Sequence, residues 1–130
     1  MLCGESKGLI EDVTVQGKID LTGDDIVCGG LVGSKLLYSK NQENASNTTN
    51  ASVDVVISGT SNGIIGGLYG VCSGSLKTTN VTLKLEASDA VKAYIIAHTL
   101  KDTLVTTLSY ELINTNELDK ICINDNSIIN

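Results

Sequence analysis

The chain writes nearly the same short phrase twice: IVCGGLVG at residues 26–33 and IIGGLYG at residues 64–70. Each copy has an apolar pair, two adjacent glycines, an inward-type apolar residue, one more residue and a closing glycine. Such a phrase constrains the fold because glycine pairs inside an apolar frame remove side chains where a buried chain has to bend. At such a corner Gly accepts positive φ and lets a neighbouring backbone approach closely. Gly29, Gly30, Gly33, Gly66, Gly67 and Gly70 are therefore expected to be structural turn residues, with Leu31 and Leu68 pointing inward and Tyr69 left free to meet a partner.

The repetition extends upstream of the glycines. VTVQG at 13–17 precedes the first copy and VVISG at 55–59 the second, each an alternating run closed by Gly. A third run, VTLKLEA at 81–87, sets Val81, Leu83 and Leu85 on one face against Thr82, Lys84 and Glu86 on the other. A fourth, LVTTLSYELIN at 104–114, aligns Thr106, Leu108, Tyr110 and Leu112. Period-two alternation between turn signals reads as half-buried strands.

Gly30 and Gly67 lie 37 positions apart and Val53 and Val81 lie 28 apart. The polar stretch SKNQENASNTTNAS, residues 39–52, accounts for the difference as an outward insertion loop. Repeats of this length with variable insertions mark solenoids and arrays. A lone strand with one apolar face cannot bury it, whereas coils stacked about 4.8 Å apart join those faces into one column. The expected fold is all-β, a parallel β-helix or β-solenoid, with a β-sandwich as the alternative. Parallel pairing of residues 53–58 with 81–86 selects the solenoid, and antiparallel pairing the sandwich.

GGLVG at 29–33 and GGLYG at 66–70, each behind an apolar pair and a strand ending in Gly, resemble the glycine-leucine GLUG repeat of large bacterial and protist surface and adhesin-type proteins. The resemblance covers roughly residues 8–100 and implies a β-solenoid, often a right-handed parallel β-helix. The expected third copy is AYIIA at 93–97, with alanines in place of glycines. A competing pattern lies there: Ser88 and Asp89 as a cap, then Val91, Tyr94, Ile95 and His98 at helical spacing, which reads as a short helix near residues 89–99.

Residues 1–130 form one domain by length, a segment of a larger repeat protein by pattern. Nine Lys, no Arg and fifteen acidic residues give a net charge of −6 without a basic stripe, so the electrostatic basis for nucleic-acid binding is missing. No apolar run is long enough to span a membrane, and MLCGESKG is not a signal peptide. Cys3, Cys28, Cys72 and Cys122 are too scattered for a zinc or thiol-exchange site and read as small buried residues more readily than as bridges. Asn44, Asn47, Asn50 and Asn80 each begin an Asn-x-Ser/Thr sequon, candidate glycosylation sites that point to an extracellular or cell-surface glycoprotein.

Chemistry is sparse. His98 is the only histidine and no GxSxG surrounds a serine, so triad catalysis has no support. GGLVGSK at 29–35 lacks the spacing of a phosphate loop. Asp24, Asp25 and Asp54 are the carboxylates that a carbohydrate-active β-helix enzyme would use, but no Arg, Trp or Phe accompanies them. They read as solvated turn residues, and TGDD at 22–25 lacks the repeated signature of a calcium-binding β-helix. The expectation is a non-catalytic structural module without cofactor or metal, a stalk or adhesion-type scaffold. Its partners would be neighbouring repeats, a second copy, or a surface protein or glycan. The alternatives are the carbohydrate-active enzyme and a β-sandwich binding module.

Overall fold

A computed structural model describes residues 1–36, 46–60, 63–74, 76–88, 93–113, 122–125 and 127–129. Among the described residues twelve strands follow one another: β1 (Cys3–Ser6), β2 (Ile10–Thr22), β3 (Val27–Gly29), β4 (Val32–Leu36), β5 (Thr48–Thr60), β6 (Ile64–Gly66), β7 (Tyr69–Ser73), β8 (Lys77–Ala87), β9 (Ala97–Lys101), β10 (Leu104–Leu112), β11 (Ile123–Asp125) and β12 (Ile128–Ile129). They form a five-stranded sheet β2-β5-β8-β10-β12, a second five-stranded sheet β1-β4-β7-β9-β11, and a short pair β3-β6. Every strand pairing is parallel. The chain runs along the long sheet, turns through the short one and returns along the second sheet, so each circuit lays one coil on the last. This is a parallel β-solenoid. Val53 pairs with Leu83 and Val55 with Leu85 in parallel, the arrangement that removes the sandwich alternative.

The alternating runs become columns. Val15, Val53, Leu83 and Tyr110 occupy one register position in successive coils, and Gly17, Val55, Leu85 and Leu112 the next inward position. Val53, Val55, Ile57, Leu83 and Leu85 are buried. Burying each such side chain is worth about 1.5–3 kcal/mol, which one isolated coil could not collect. Register is fixed because a one-residue slip would turn every apolar residue of a strand outward. Outward charges agree with it, since Lys84 lies opposite Asp54 on one side and Glu111 on the other.

Three sequence expectations change. Residues 48–52 are the start of β5 and not insertion loop, because Thr48 and Thr49 pair with Thr78 and Thr79 of the next coil. Residues 89–92 lie outside the described residues. The rest of the expected helix is extended: Tyr94 bridges to Gly66 and Ala97 begins β9, since a strand there buries Ile95, Ile96 and Ala97 against the preceding coil. The third copy of the glycine phrase is thus present, one residue later than its spelling suggests: Tyr94 stacks on Gly66 and Ala97 on Tyr69.

Candidate functional site: the corner and the outer groove

The glycine phrase forms the corner between the short sheet and the second long one. Leu31, Leu68 and Ile96 stack inward there, the Leu31 amide donating to the Leu68 carbonyl (2.9 Å) and the Leu68 amide to that of Ile96 (2.8 Å). The glycines serve close approach and not positive φ. A Cβ on Gly29 would lie 2.6 Å from the Leu68 carbonyl oxygen, and one on Gly66 would lie 2.6 Å from Ala97 Cα. On Gly67 it would meet Leu85 Cδ2 at 2.9 Å, and on Gly33 and Gly70 it would run into the backbone of the preceding coil. Gly30 is closed by the Gly67 carbonyl and by Val55 Cγ2 at 2.8 Å. The glycines with positive φ are Gly23, Gly59 and Gly74, which lie outside the repeated phrase.

Tyr69 is buried, contrary to its expected outward role. Its register partners Val32 and Ala97 sit on the inner face, and its hydroxyl is 2.8 Å from Thr78 Oγ1. Burial pushes its pKa well above the ordinary tyrosine value. It belongs to an internal polar cluster at the corner joining the second and long sheets. Lys35, fully buried, donates from Nζ to Ser6 Oγ (3.3 Å) and to the Gly8 carbonyl, and burial lowers its pKa. Cys72 follows Lys35 in register. Thr103 Oγ1 donates to the Lys101 carbonyl (2.9 Å), so the Cys72 thiol, 3.8 Å away, donates to Thr103. Burial raises the Cys72 pKa to about 12. The Thr48 hydroxyl is buried beside that of Tyr69.

The four cysteines are free thiols, Cys28 and Cys72 buried and Cys3 and Cys122 half-buried. His98 is half-buried, its Nδ1 2.9 Å from Thr99 Oγ1 and its ring edge-on to Tyr94 with centroids 5.0 Å apart. Asp24 and Asp25 lie in the bend after β2. Asp54 lies in β5 opposite Gln16, six strand residues before Thr22 and so about 20 Å along the strand from that bend. The structure does not bring these carboxylates together, and among the described residues no three His, Cys, Asp or Glu side chains converge as a metal site.

The sequons lead to a feature that the sequence reading missed. Asp12, Asn50, Asn80 and Thr107 all have φ between 52° and 57°, and each interrupts its strand at the same point of the coil. Asn and Asp tolerate this left-handed conformation better than other side chains. Asn80 Nδ2 donates to Asn50 Oδ1 at 2.5 Å, and Asn50 Nδ2 donates to Asp12 Oδ1 at 3.0 Å. The kinks stack into a groove along the solenoid axis. It is open, ≈ 390 Å³ in volume, and its lining includes Asp12, Asn50 and Asn80 together with Thr14, Ser52 and Thr82.

The signal was visible as TTNAS at 48–52 and TTNVT at 78–82. In both, Asn takes the left-handed position, the next residue points inward and Ser or Thr points outward. The sequon spelling at Asn50 and Asn80 is therefore one that the kinked strand itself favours. A glycan on either residue would be attached at an Nδ2 that already donates within the ladder. Asn47 uses Oδ1 to accept from the Lys77 amide (2.8 Å), and Asn44 lies outside the described residues.

No protein-family model, curated protein or solved structure matches the chain. Its function has to be argued from these surfaces.

Proposed function

We propose that this chain is a non-catalytic structural repeat module of a surface protein, a stalk or adhesion-type scaffold of the GLUG kind. The observation that carries the reading is continuity of register. Twelve residue pairs join β2 to β5 and nine join β5 to β8, with corner and kink in step. Coils locked in this way extend a chain along one axis, and they present their outward rows in fixed order. The partners that suit such a rod are further coils, supplied by neighbouring repeats or by a second copy. Its first coil leaves β1 and β2 as edge strands, with Leu2 and Leu9 exposed beside them, and open strand edges invite pairing.

Two measurements test the reading. In the cells that make the protein, protease added to intact cells should remove an epitope inserted at Asn41; an epitope cut only after lysis would overturn a surface role. In sedimentation, the purified chain should associate at tens of micromolar, and a clean monomer there would count against coil-to-coil partnering.

A further inference from the structure

The outer groove is built, not incidental. Three successive coils contribute the same left-handed residue, joined by two side-chain hydrogen bonds, and the same outward hydroxyl position two residues later. Each coil thus offers one amide or carboxylate and one hydroxyl, repeated every ~4.8 Å along the axis. The backbone of the central coil is paired on both sides. Beyond the β2 edge, a peptide seeking strand pairing finds no free edge in the groove, and recognition along the inner coils has to pass through side chains.

The chemistry of those side chains restricts the occupant. Asp12 is the single ionisable residue among the described residues of the lining, and it already accepts from Asn50. Neither a polyanion nor a polycation finds a run of opposite charge there. Each Nδ2 of the ladder uses one hydrogen within it and keeps a second. The hydroxyls of Thr14, Ser52 and Thr82 are both donors and acceptors. The partner complementary to this pattern is an unbranched chain of hydroxyl-rich rings, one ring for each coil, since an extended pyranose unit is close to one coil in length.

We propose that the groove binds an extended, uncharged polysaccharide lying along the solenoid axis, held by the second Nδ2 hydrogens of Asn50 and Asn80 and by the hydroxyls of Ser52 and Thr82. The inference rests on the scaffold reading, to which it adds the ligand that the scaffold presents itself to. Binding is non-covalent and multivalent along the groove, so affinity rises with the length of the oligosaccharide up to the three coils that line it. The sequons and the groove compete for the same atoms: a chain glycosylated at Asn50 or Asn80 has its groove filled by its own glycan.

The test uses the full chain produced in a host without N-glycosylation, titrated with cellohexaose, chitohexaose and hexagalacturonate while the Asn side-chain amide resonances are followed. The expected result is saturable movement of the Asn50 and Asn80 amide signals with at least one neutral hexasaccharide, weaker with its disaccharide and absent with hexagalacturonate. Thr82→Arg and Ser52→Arg, both at exposed positions, fill the trough without touching the ladder and should weaken binding at least tenfold. Thr60→Arg, at the far end of β5, should leave it unchanged. Two arginine variants guard against one of them failing to fold. No saturable shift with either neutral sugar, preference for the charged one, or equal binding by all three variants would overturn the proposal. A chain cleaved on intact cells that nevertheless binds none of these sugars sinks the groove alone, whereas sugar binding by a chain confined inside the cell sinks the surface reading alone.

Discussion

At Gly66 an added methyl would fall 2.6 Å from Ala97 Cα in the next coil and still closer to the Tyr69 carbonyl oxygen. Those obstacles are backbone atoms, which cannot rotate away as a side-chain tip would. Gly66→Ala should therefore cost about 1–3 kcal/mol, at the upper end because two coils must part. Gly17, exposed because β2 is the edge strand, has nothing within 4 Å of its added Cβ, and Gly17→Ala should be neutral or stabilise by about 0.4–1 kcal/mol through the unfolded state. Urea midpoints for the two variants check the contrast, and equal losses would mean that the corner glycines are not there for close approach. That the glycines mark a corner was legible from their offsets. Their reason was not, since positive φ and steric exclusion both spell Gly, and only the position of the neighbouring coil separates them. The burial of Tyr69 is hidden on similar grounds: sequence shows its neighbours in the phrase, whereas its burial depends on Val32 and Ala97 of the coils on either side.

Among the strands, β10 is where the shared kink is poorly served. Asp12, Asn50 and Asn80 suit a left-handed residue, but Thr107 adopts φ 52° with a β-branched side chain, which costs ~1–2 kcal/mol relative to a residue at ease there. Thr107→Asn should relieve the strain and extend the ladder toward Asn80. The expected gain is about 1–2 kcal/mol in unfolding free energy, read from urea denaturation; a loss would show that β10 does not share the kink. Alternation located the body of β2, β5, β8 and β10 because an inward column needs period two. It does not reach the first residues of β5, since TTNAS is polar and reads as a continuation of the loop before it. Periodicity cannot detect a strand broken by a left-handed residue, because the break shifts which face each side chain takes. The candidate site escaped for that reason: its parts are scattered over three coils, and only the second appearance of Thr-Thr-Asn, 30 positions on, could have linked them.

For the solenoid as a whole, the internal polar cluster ties stability to alkaline pH with two opposing signs. Burial lowers the pKa of Lys35 from its ordinary 10.5. The folded state therefore binds this proton less readily than the unfolded one, and stability rises as pH climbs toward 10.5 and the unfolded chain gives the proton up. Burial raises the Cys72 pKa from 9.0 to about 12 and raises that of Tyr69 as well. Their contribution is fully present below about pH 9 and is lost as pH climbs through the folded values, because the unfolded chain ionises first. For Cys72 alone, three pKa units correspond to roughly 4 kcal/mol by the top of that window. The Lys35 rise opposes the Cys72 fall up to pH 10.5, so the stability of the wild-type chain should fall steeply only above about pH 10, where the tyrosine of the unfolded chain ionises as well. Lys35→Met should bring the onset of the fall down toward about pH 9, since a neutral side chain has no proton to release, and Cys72→Ala should make the falling limb shallower while leaving the shares of Tyr69, Cys28 and Cys122. Unfolding midpoints measured from pH 7 to pH 11 under reducing conditions decide it. A falling limb of unchanged steepness in Cys72→Ala would mean that the thiol is not held inside the coil, and with it would go the placement of Lys35, Tyr69 and Thr103 around it.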